Sequence, residues 1–322
     1  MMQKSYRQLL RESFKSNDTE EWLDIWFTRP IGLAIAMVCD RLGITPNAIT
    51  LAGIAIGALG GWMFRYSDLT SNIIAVVLLM TANFCDSADG QLARLTNQKS
   101  VLGRLLDGFA SDVWFFFVYT SIVYRLWWEP MPLVGIPWQW WGFLLCAVAG
   151  FGCHATQCAL ADYYRNIHLY FLKGAEGSEL DSYESEQRLY DTLSRQGWSF
   201  ERLYHLFYKG YCKKQERLTP RFQSFFKAYK RAHLSTLIAT PHSQRENSQI
   251  SNLKSQILSG SRPLMPLTNI LTHNTRACAL FFAALINIPW LYPLFEIVVL
   301  HPLYRYMRHR HEQLCETLIT KI

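Results

Sequence analysis

The stretch from residue 83 to residue 114 contains side chains that could do chemistry, and they recur at the spacing of helix faces. At 100° per residue, the four that follow Asp86 all fall within about 80° of it. The five residues of this face are Asp86, Asp89, Gly90, Ala93 and Arg94. One helix face would therefore present two carboxylates, two side chains too small to block a ligand, and a guanidinium. Gly103 and Asp107, a small residue and a carboxylate four residues apart, lie at the start of the next helix.

Three carboxylates that converge where two membrane helices meet predict a site for a hard divalent cation. Mg²⁺ and Mn²⁺ prefer oxygen ligands and usually share them with substrate phosphates. Ionised residues inside apolar sequence are costly, and their usual explanation is functional. We therefore expect Asp86, Asp89 and Asp107 to bind Mg²⁺ or Mn²⁺. In the competing interpretation these acids cap two helices from a loop, which does not explain Gly90 and Arg94 on the same face.

The run DSADGQLAR, followed after eight residues by GRLLD, resembles the signature of the CDP-alcohol phosphotransferase family of integral-membrane phospholipid synthases. That signature is Asp-x-x-Asp-Gly-x-x-Ala-Arg and then Gly-x-x-x-Asp-x-x-x-Asp. The resemblance covers about residues 40 to 170, and the pair Pro46–Asn47 before the first span adds a weaker match. It departs at the last position, where Ser111 stands four residues beyond Asp107 and the nearest carboxylate is Asp112.

The resemblance implies that an acceptor hydroxyl displaces CMP from a CDP-linked donor and forms a phosphodiester. The metal ions would offset the charge of the donor diphosphate and of the leaving CMP. The residues implied to bind the donor are Gly90, Ala93, Arg94, Gly103 and Asn47. The small ones would leave room for the nucleotide, and the arginine would meet a carboxylate or a phosphate. Lys99 and Arg104 are candidates for binding an acceptor phosphate, with solvated loop cations as the alternative.

The acceptor hydroxyl must lose its proton during the attack, and a positioned carboxylate is the usual proton acceptor. On a regular helix Ser111 lies about 40° from Asp107, whereas Asp112 lies about 140° away. Because a serine hydroxyl is a poor base, we expect Asp112 to act as the catalytic base and Ser111 to line the pocket. A single-turn π-bulge would bring Asp112 inward. In the alternative, Asp112 hydrogen-bonds a neighbouring helix.

The sequence favours one substrate pair without excluding others. About six spans agree with the compact members of the family, so we expect CDP-diacylglycerol as donor and inositol or inositol phosphate as acceptor. A CDP-alcohol donor with diacylglycerol or ceramide as acceptor is the alternative. Two other classes are an inactive family member acting as a membrane scaffold, suggested by Ser111, and a transporter or channel. Transporters more often show internal repeats, and this sequence shows none, which disfavours a transporter.

Composition and its distribution predict an all-α membrane bundle with a polar insert. Half of the residues are hydrophobic and 18% are charged, and the apolar ones occur in runs of about twenty. The six expected spans lie near 48–66, 72–94, 102–127, 138–161, 272–288 and 289–307. We expect an N-terminal interfacial region at 1–44, a catalytic core at 45–173, a cytoplasmic helical insert at 174–266, and the last two spans with a basic tail at 267–322.

The net charge of +7 is explained by cations that flank cytoplasmic helix ends, and no nucleic-acid-binding signature accompanies it. The distribution of Lys and Arg places both termini and the acidic motif in the cytoplasm. The chain would then be a multi-pass protein of the cell (inner) membrane if its source is bacterial. The resemblance further implies a homodimer.

Three other features outside the motif carry expectations. An aromatic stripe at helical spacing in the insert either lies on anionic lipid or packs on the rest of the insert. Its members are Phe222, Phe225, Phe226 and Tyr229. The eight cysteines are expected to be buried thiols, without disulfides or a zinc site. His309 and His311 are expected to belong to a solvated basic tail rather than to a metal site.

Overall fold

A computed structural model describes residues 5–12, 16, 18–98, 100–238 and 244–321 of the chain. These residues are almost entirely helical and form no strand, apart from one isolated bridge between Pro130 and Pro137. The all-α prediction is therefore confirmed. The chain divides into two compact units, the first made of Met1–Thr156 and His273–Val299 and the second of Gln157–Thr272 and Leu300–Ile322.

The first unit contains eight of the helices, which are numbered here in chain order. They are α1 (Tyr6–Glu12), α2 (Arg29–Arg41), α3 (Pro46–Met63), α4 (Leu69–Leu95), α5 (Val101–Leu126), α6 (Gln139–Ala147), α13 (His273–Leu285) and α14 (Leu291–Phe295). Helix α3 packs on both α4 and α5, and α2 packs on α4. The part of the chain that the structure describes contains three π-helical segments, at Asp24–Thr28, Val148–His154 and Glu296–Leu300.

The glycines of α3 allow its neighbours to approach closely. A Cβ atom at Gly57 would lie 2.3 Å from the indole of Trp114, and one at Gly61 would lie 2.8 Å from the Cβ of Phe117. Small residues at such contacts let helix backbones pack tightly where no hydrophobic effect drives association. Helix α3 begins as the sequence indicates, with Pro46 in its first turn and the side chain of Thr45 accepting a hydrogen bond from the amide of Ala48.

Among the described residues, three helical stretches are long and apolar enough to cross a membrane: Pro46–Met63, Leu69–Leu95 and Gln139–Lys173. They correspond to the first, second and fourth expected spans. Helix α5 has 26 residues but carries four charged side chains. Helix α13 has 13 residues and is about 20 Å long, which is short of a hydrocarbon core of about 30 Å. The total of six spans stays a prediction.

The N-terminal region combines exposed and buried apolar residues. Trp22 and Trp26 are 70% and 69% exposed, as an interfacial helix would require. By contrast, Ala36 of α2 is buried in a small apolar cluster with Ala88 and Leu92 of α4. The N-terminal region is therefore attached to α4 by packing, while its position at the membrane interface stays a prediction.

The second unit contains the helices of the predicted insert and the helices that precede and follow them in the chain. They are α7 (Ala155–Lys173), α8 (Tyr183–Ser194), α9 (Phe200–Leu218), α10 (Pro220–Ile238), α11 (Gln244–Ser261), α12 (Met265–Ile270) and α15 (His301–Ile319). The aromatic stripe of α10 is buried throughout. Phe222 meets the ring of Tyr163, and Phe225 and Tyr229 meet Phe171. Of the two interpretations of this stripe, the structure supports packing within the unit.

The C-terminal histidines differ from each other, so the expectation of a solvated tail is wrong for one of them. His309 is exposed, whereas His311 is fully buried and stacks on Tyr164 with ring centroids 4.1 Å apart. Burial, with a smaller contribution from the charge of His168, lowers the pKa of His311 to about 3. A neutral ring is therefore part of the core of the second unit at pH 7.

All eight cysteines are free thiols, as expected from their spacing. The expectation that they are buried is wrong for Cys278, which is exposed.

A buried carboxylate connects four helical elements of the first unit. Glu296 and Arg276 are both completely buried and form an ion pair. Tyr292 donates a hydrogen bond to the Glu296 Oε1 atom at 2.7 Å, and His154 Nδ1 lies 3.0 Å from the same oxygen. The hydroxyl of Tyr119 on α5 donates to the other oxygen, Oε2. His154 and Glu296 both belong to π-helical segments, so one polar network ties α5, α13 and α14 to the helix that contains Val148–His154.

We expect the substitution Glu296→Gln to lower the free energy of unfolding by about 3–5 kcal/mol, because it leaves the Arg276 charge buried without its counter-ion. The matched control is Glu184→Gln in the Arg188–Glu184 pair, whose side chains are 76% and 77% exposed. That control should cost less than about 1 kcal/mol. Reversible unfolding in mixed micelles measures both losses, and equal losses would contradict the special role of Glu296.

Candidate functional site

Helix ends bring the two halves of the acidic motif together. Helix α4 ends at Leu95 and α5 begins at Val101, so only residues 96–100 separate them. The side chain of Ser100 caps α5 by accepting the amide hydrogen of Gly103 at 2.9 Å. The end of α4 therefore lies near the start of α5. This brings the three predicted metal ligands, Asp86, Asp89 and Asp107, near one another.

Two of the three predicted metal ligands are in contact. The carboxyl groups of Asp86 and Asp107 lie within hydrogen-bonding distance of each other, and Asp89 is close enough for its charge to act on both. Two ionised carboxylates close together repel each other, and a proton or a cation between them would relieve that repulsion. This is the strongest electrostatic constraint in the motif.

The third predicted ligand has a separate partner. Asp89 is only 4% exposed, and its Oδ2 atom accepts a short hydrogen bond from the hydroxyl of Thr50 on α3. In the described part of the chain, no group of three or more His, Cys, Asp or Glu side chains is arranged so that it could hold a metal ion. In its chemistry the donor set fits Mg²⁺ or Mn²⁺, because it consists of carboxylate oxygens with no nitrogen or sulfur ligand.

The two glycines of the motif have different surroundings. A Cβ atom on Gly90 would find Arg94 Nη1 as its nearest neighbour, at an ordinary 3.5 Å, so the guanidinium lies over an open position. A Cβ atom on Gly103 would lie 2.6 Å from Asn47 Oδ1 and 2.9 Å from Ser100 Oγ. Gly103 and Asn47 are thus packed against each other where α3 meets α5. Gly90 and the half-buried Ala93 keep space beside Arg94.

Arg94 lies among charges that the sequence motif does not contain. Asp89 and Asp107 act on it from the motif, and Glu20 and Arg29 act on it from the N-terminal region. Glu20 accepts two hydrogen bonds from the guanidinium of Arg29, at 2.8 and 2.9 Å. The N-terminal region therefore contributes a charged pair to the edge of the site.

The remaining predicted residues lie along the start of α5. This helix is a regular α-helix from Val101 to Leu126, so the π-bulge expected near Asp112 is not formed. Asp112 is exposed, and Ser111 is half-buried on the side nearer Asp107. Arg104 is exposed one turn before Asp107. Lys99 lies outside the described residues.

Three residues near the motif carry no signal in the sequence pattern. Thr50 bonds to Asp89 from another helix, Asp24 is close enough to Asp86 for their charges to interact, and Asn274 bonds to Asp24. Helical periodicity within one segment cannot indicate contacts between segments that are far apart in the chain. The only possible hint for Asp24 is its place beside aromatic residues in an otherwise amphipathic stretch.

Residues 43–173 match the family model described as CDP-alcohol phosphatidyltransferase. An archaetidylinositol phosphate synthase of Pyrococcus horikoshii is 41% identical over 73 residues, which are 23% of this chain and 37% of that protein. A CMP-forming cardiolipin synthase of Streptomyces coelicolor is 33% identical over 97 residues, 29% of this chain and 44% of that protein.

A CDP-diacylglycerol–serine O-phosphatidyltransferase of Bacillus subtilis is 33% identical over 91 residues, 28% of this chain and 50% of that protein. The chain thus spans half or less of the length of these relatives. The matched family region includes α3, α4, α5 and the complete acidic motif.

We expect Gly103→Ala to lower the free energy of unfolding by about 1–3 kcal/mol, because its methyl group would overlap Asn47 and Ser100. Gly90→Ala should leave stability unchanged or raise it by up to about 1 kcal/mol, since alanine favours the helix and has room there. Thermal unfolding of the two purified variants measures the difference. Equal destabilisation by both would contradict the distinct packing of the two glycines.

Proposed function

We propose that this chain, whose residues 43–173 carry the domain of the CDP-alcohol phosphatidyltransferase family, transfers a phosphatidyl group from a CDP-linked donor to an acceptor hydroxyl. The observation that carries the proposal is the contact between Asp86 and Asp107 beside Asp89 and Arg94. In the reaction the acceptor oxygen forms a new bond to phosphorus, the bond from phosphorus to the CMP oxygen breaks, and the hydroxyl proton passes to a base.

We propose CDP-diacylglycerol as the donor and inositol or inositol phosphate as the acceptor. Two relatives support this choice, because one is an archaetidylinositol phosphate synthase and the other is a CDP-diacylglycerol–serine O-phosphatidyltransferase. The alternative of a CDP-alcohol donor with diacylglycerol or ceramide as acceptor requires a different product. An inactive scaffold would release no CMP, and a transporter would move a cation without it.

The residues proposed to hold Mg²⁺ or Mn²⁺ are Asp86, Asp89 and Asp107. When bound, the metal would offset the negative charge of the diphosphate and of the departing CMP. Arg94 is proposed to bind a phosphate oxygen, and the position of its guanidinium, 3.5 Å from where a Cβ of Gly90 would lie, supports this role. Asn47 and Gly103 hold α3 against α5, so their contribution to donor binding is to keep the two halves of the motif in place.

Two predictions on the acceptor side stay proposals. Arg104 is exposed near the motif and could meet the phosphate of inositol phosphate, together with Lys99. Asp112 was expected to take the proton of the acceptor hydroxyl, with Ser111 lining the pocket. Because α5 is a regular α-helix, Asp112 points away from Asp107. This geometry counts against Asp112 as the base.

Purified protein should release CMP from CDP-diacylglycerol only with Mg²⁺ or Mn²⁺ and an acceptor present. Asp86→Asn, Asp89→Asn and Asp107→Asn should each lower kcat/KM by about 100-fold or more, because each removes a charge that holds the metal. The control is Asp191→Asn, which changes an exposed acid of α8 outside the motif, and Asp112→Asn tests the proposed base separately. Undiminished turnover after EDTA treatment, or in any of the first three variants, would contradict the metal assignment.

We also propose that the insert and the acidic motif face the cytoplasm, while the tryptophan-rich stretch at 127–141 faces the opposite side. Cys212 is buried, so labelling requires introduced cysteines at exposed positions such as Gln196 and Val134. In intact cells an impermeant maleimide should label Val134→Cys and should reach Gln196→Cys only after lysis. The unsubstituted protein gives the background from Cys278. The reverse pattern would overturn the orientation.

The partners of the proposed enzyme are the membrane lipids and, by resemblance to the family, a second copy of the chain. A mass of one protomer in both mild detergent and nanodiscs would contradict the homodimer.

A further inference from the structure

One side of α9 leaves large apolar side chains uncovered. Trp198, which directly precedes the helical start, is 73% exposed, and Phe200 and Phe207 are each more than half exposed. The rings of Trp198 and Phe200 meet with their centroids 5.2 Å apart, so they form one aromatic surface rather than two isolated residues. Contiguous exposed apolar surface of this kind marks a place where another molecule binds.

The same side of α9 becomes basic towards the C-terminal end of the helix. At 100° per residue, its apolar and basic residues fall within an arc of about 140°, which is called the outer face here. The two acids of α9 lie outside this arc, and Glu216 accepts a hydrogen bond from the backbone amide of Tyr183 at 2.8 Å. Between residues 200 and 217 the outer face therefore carries three cations and no acid. Its members are Phe200, Leu203, Leu206, Phe207, Lys213, Lys214 and Arg217.

The opposite side of α9 is attached to α7 at the point where a predicted span ends. The hydroxyl of Tyr211 donates a hydrogen bond to Asp162 Oδ2 at 3.1 Å, and the side-chain amide of Gln215 donates to the backbone carbonyl of Ala159 at 3.0 Å. The fourth expected span, residues 138–161, belongs to a helical stretch that is long and apolar enough to cross a membrane. On this predicted course, the two hydrogen bonds hold α9 beside the place where the helix leaves the hydrocarbon core.

The charge of the outer face favours an anionic membrane as its partner. Aromatic residues combined with Lys and Arg are typical of helices that lie in the interface of anionic membranes, where the rings enter the headgroup boundary and the cations attract lipid phosphates. A second copy of the chain suits the face less well. In a twofold contact the two surfaces are identical, so the cations of one copy would meet the cations of the other.

We propose that the outer face of α9, together with Trp198, docks on the surface of an anionic membrane. Its aromatic half enters the boundary between headgroups and acyl chains, and Lys213 and Arg217 lie near lipid phosphates. The aromatic stripe of α10 does not take this role, because it is buried within its own unit. This contact attaches the insert to the membrane and has no part in the transfer reaction, so the inference goes beyond the proposed function.

Spin labels on the full-length protein in nanodiscs test this contact without measuring turnover. In a Cys278→Ser background, a nitroxide at Phe207→Cys should lie about 5–10 Å into the headgroup boundary when the nanodiscs contain phosphatidylglycerol. It should then collide more with oxygen than with a water-soluble nickel chelate. A control label at Asp191→Cys, an exposed position of α8, should collide mainly with the chelate. Leu206→Cys provides a second label site on the outer face if Phe207→Cys does not fold.

Removing charge distinguishes anionic lipid from other partners. Lys213→Gln combined with Arg217→Gln should move the label at residue 207 towards water. The matched control is Lys227→Gln with Arg231→Gln, which removes the same two types of charge from the exposed side of α10 and should leave the label in place.

Three results would overturn the inference. The first is a label at residue 207 that the nickel chelate reaches as freely as it reaches the control label. The second is a label whose depth stays the same without phosphatidylglycerol, or without the cations of Lys213 and Arg217. The third is a label shielded from both oxygen and the chelate, because a protein surface would then cover the outer face of α9.

Discussion

The contact between the carboxyl groups of Asp86 and Asp107 is the constraint on which the site depends. Two like charges this close destabilise each other, and a proton or a cation between them removes the repulsion. A protonated pair would be a poor site for a diphosphate, whereas a pair that shares a divalent cation would attract one. The proposed chemistry follows from the second possibility, because the same cation can carry the negative charge of the donor.

The surrounding helices keep this contact in place. Ser100 caps α5 so that Asp107 comes two turns after the end of the short connection from α4. Thr50 holds Asp89 from α3, whose glycines bring it close to α5. The Glu296 network lies elsewhere in the first unit and connects α13 and α14 to α5. Asn274 lies on α13 and donates a hydrogen bond to Asp24, so the position of Asp24 depends on how α13 is held.

Helical spacing was sufficient to predict which helices carry the three acids of the motif. The positions of Asp86, Asp89 and Asp107 on α4 and α5 follow from local periodicity, and helices of the right length formed there. The expectation of a π-bulge near Asp112 was wrong, because one extra residue in the motif does not by itself break a regular helix. The chain placed π-helical segments at other positions, including those that contain His154 and Glu296.

Contacts between distant segments could not be predicted in this way. The burial of His311 depends on the ring of Tyr164, and the burial of Phe222 depends on Tyr163. A charged run such as RHRHE reads as solvated until its packing partner is known. The hydrogen bond from Asn274 of α13 to Asp24 is of the same kind.

The most direct measurement of the central claim is the stoichiometry of the reaction. Purified protein in nanodiscs would receive CDP-diacylglycerol labelled in the phosphatidyl group, Mg²⁺ and either inositol or inositol phosphate, and both products would be quantified over time. Transfer predicts equal amounts of CMP and of labelled phosphodiester lipid, and neither product in Asp107→Asn. Release of CMP without a new lipid, or no CMP with any CDP-linked donor, would contradict a phosphatidyltransferase.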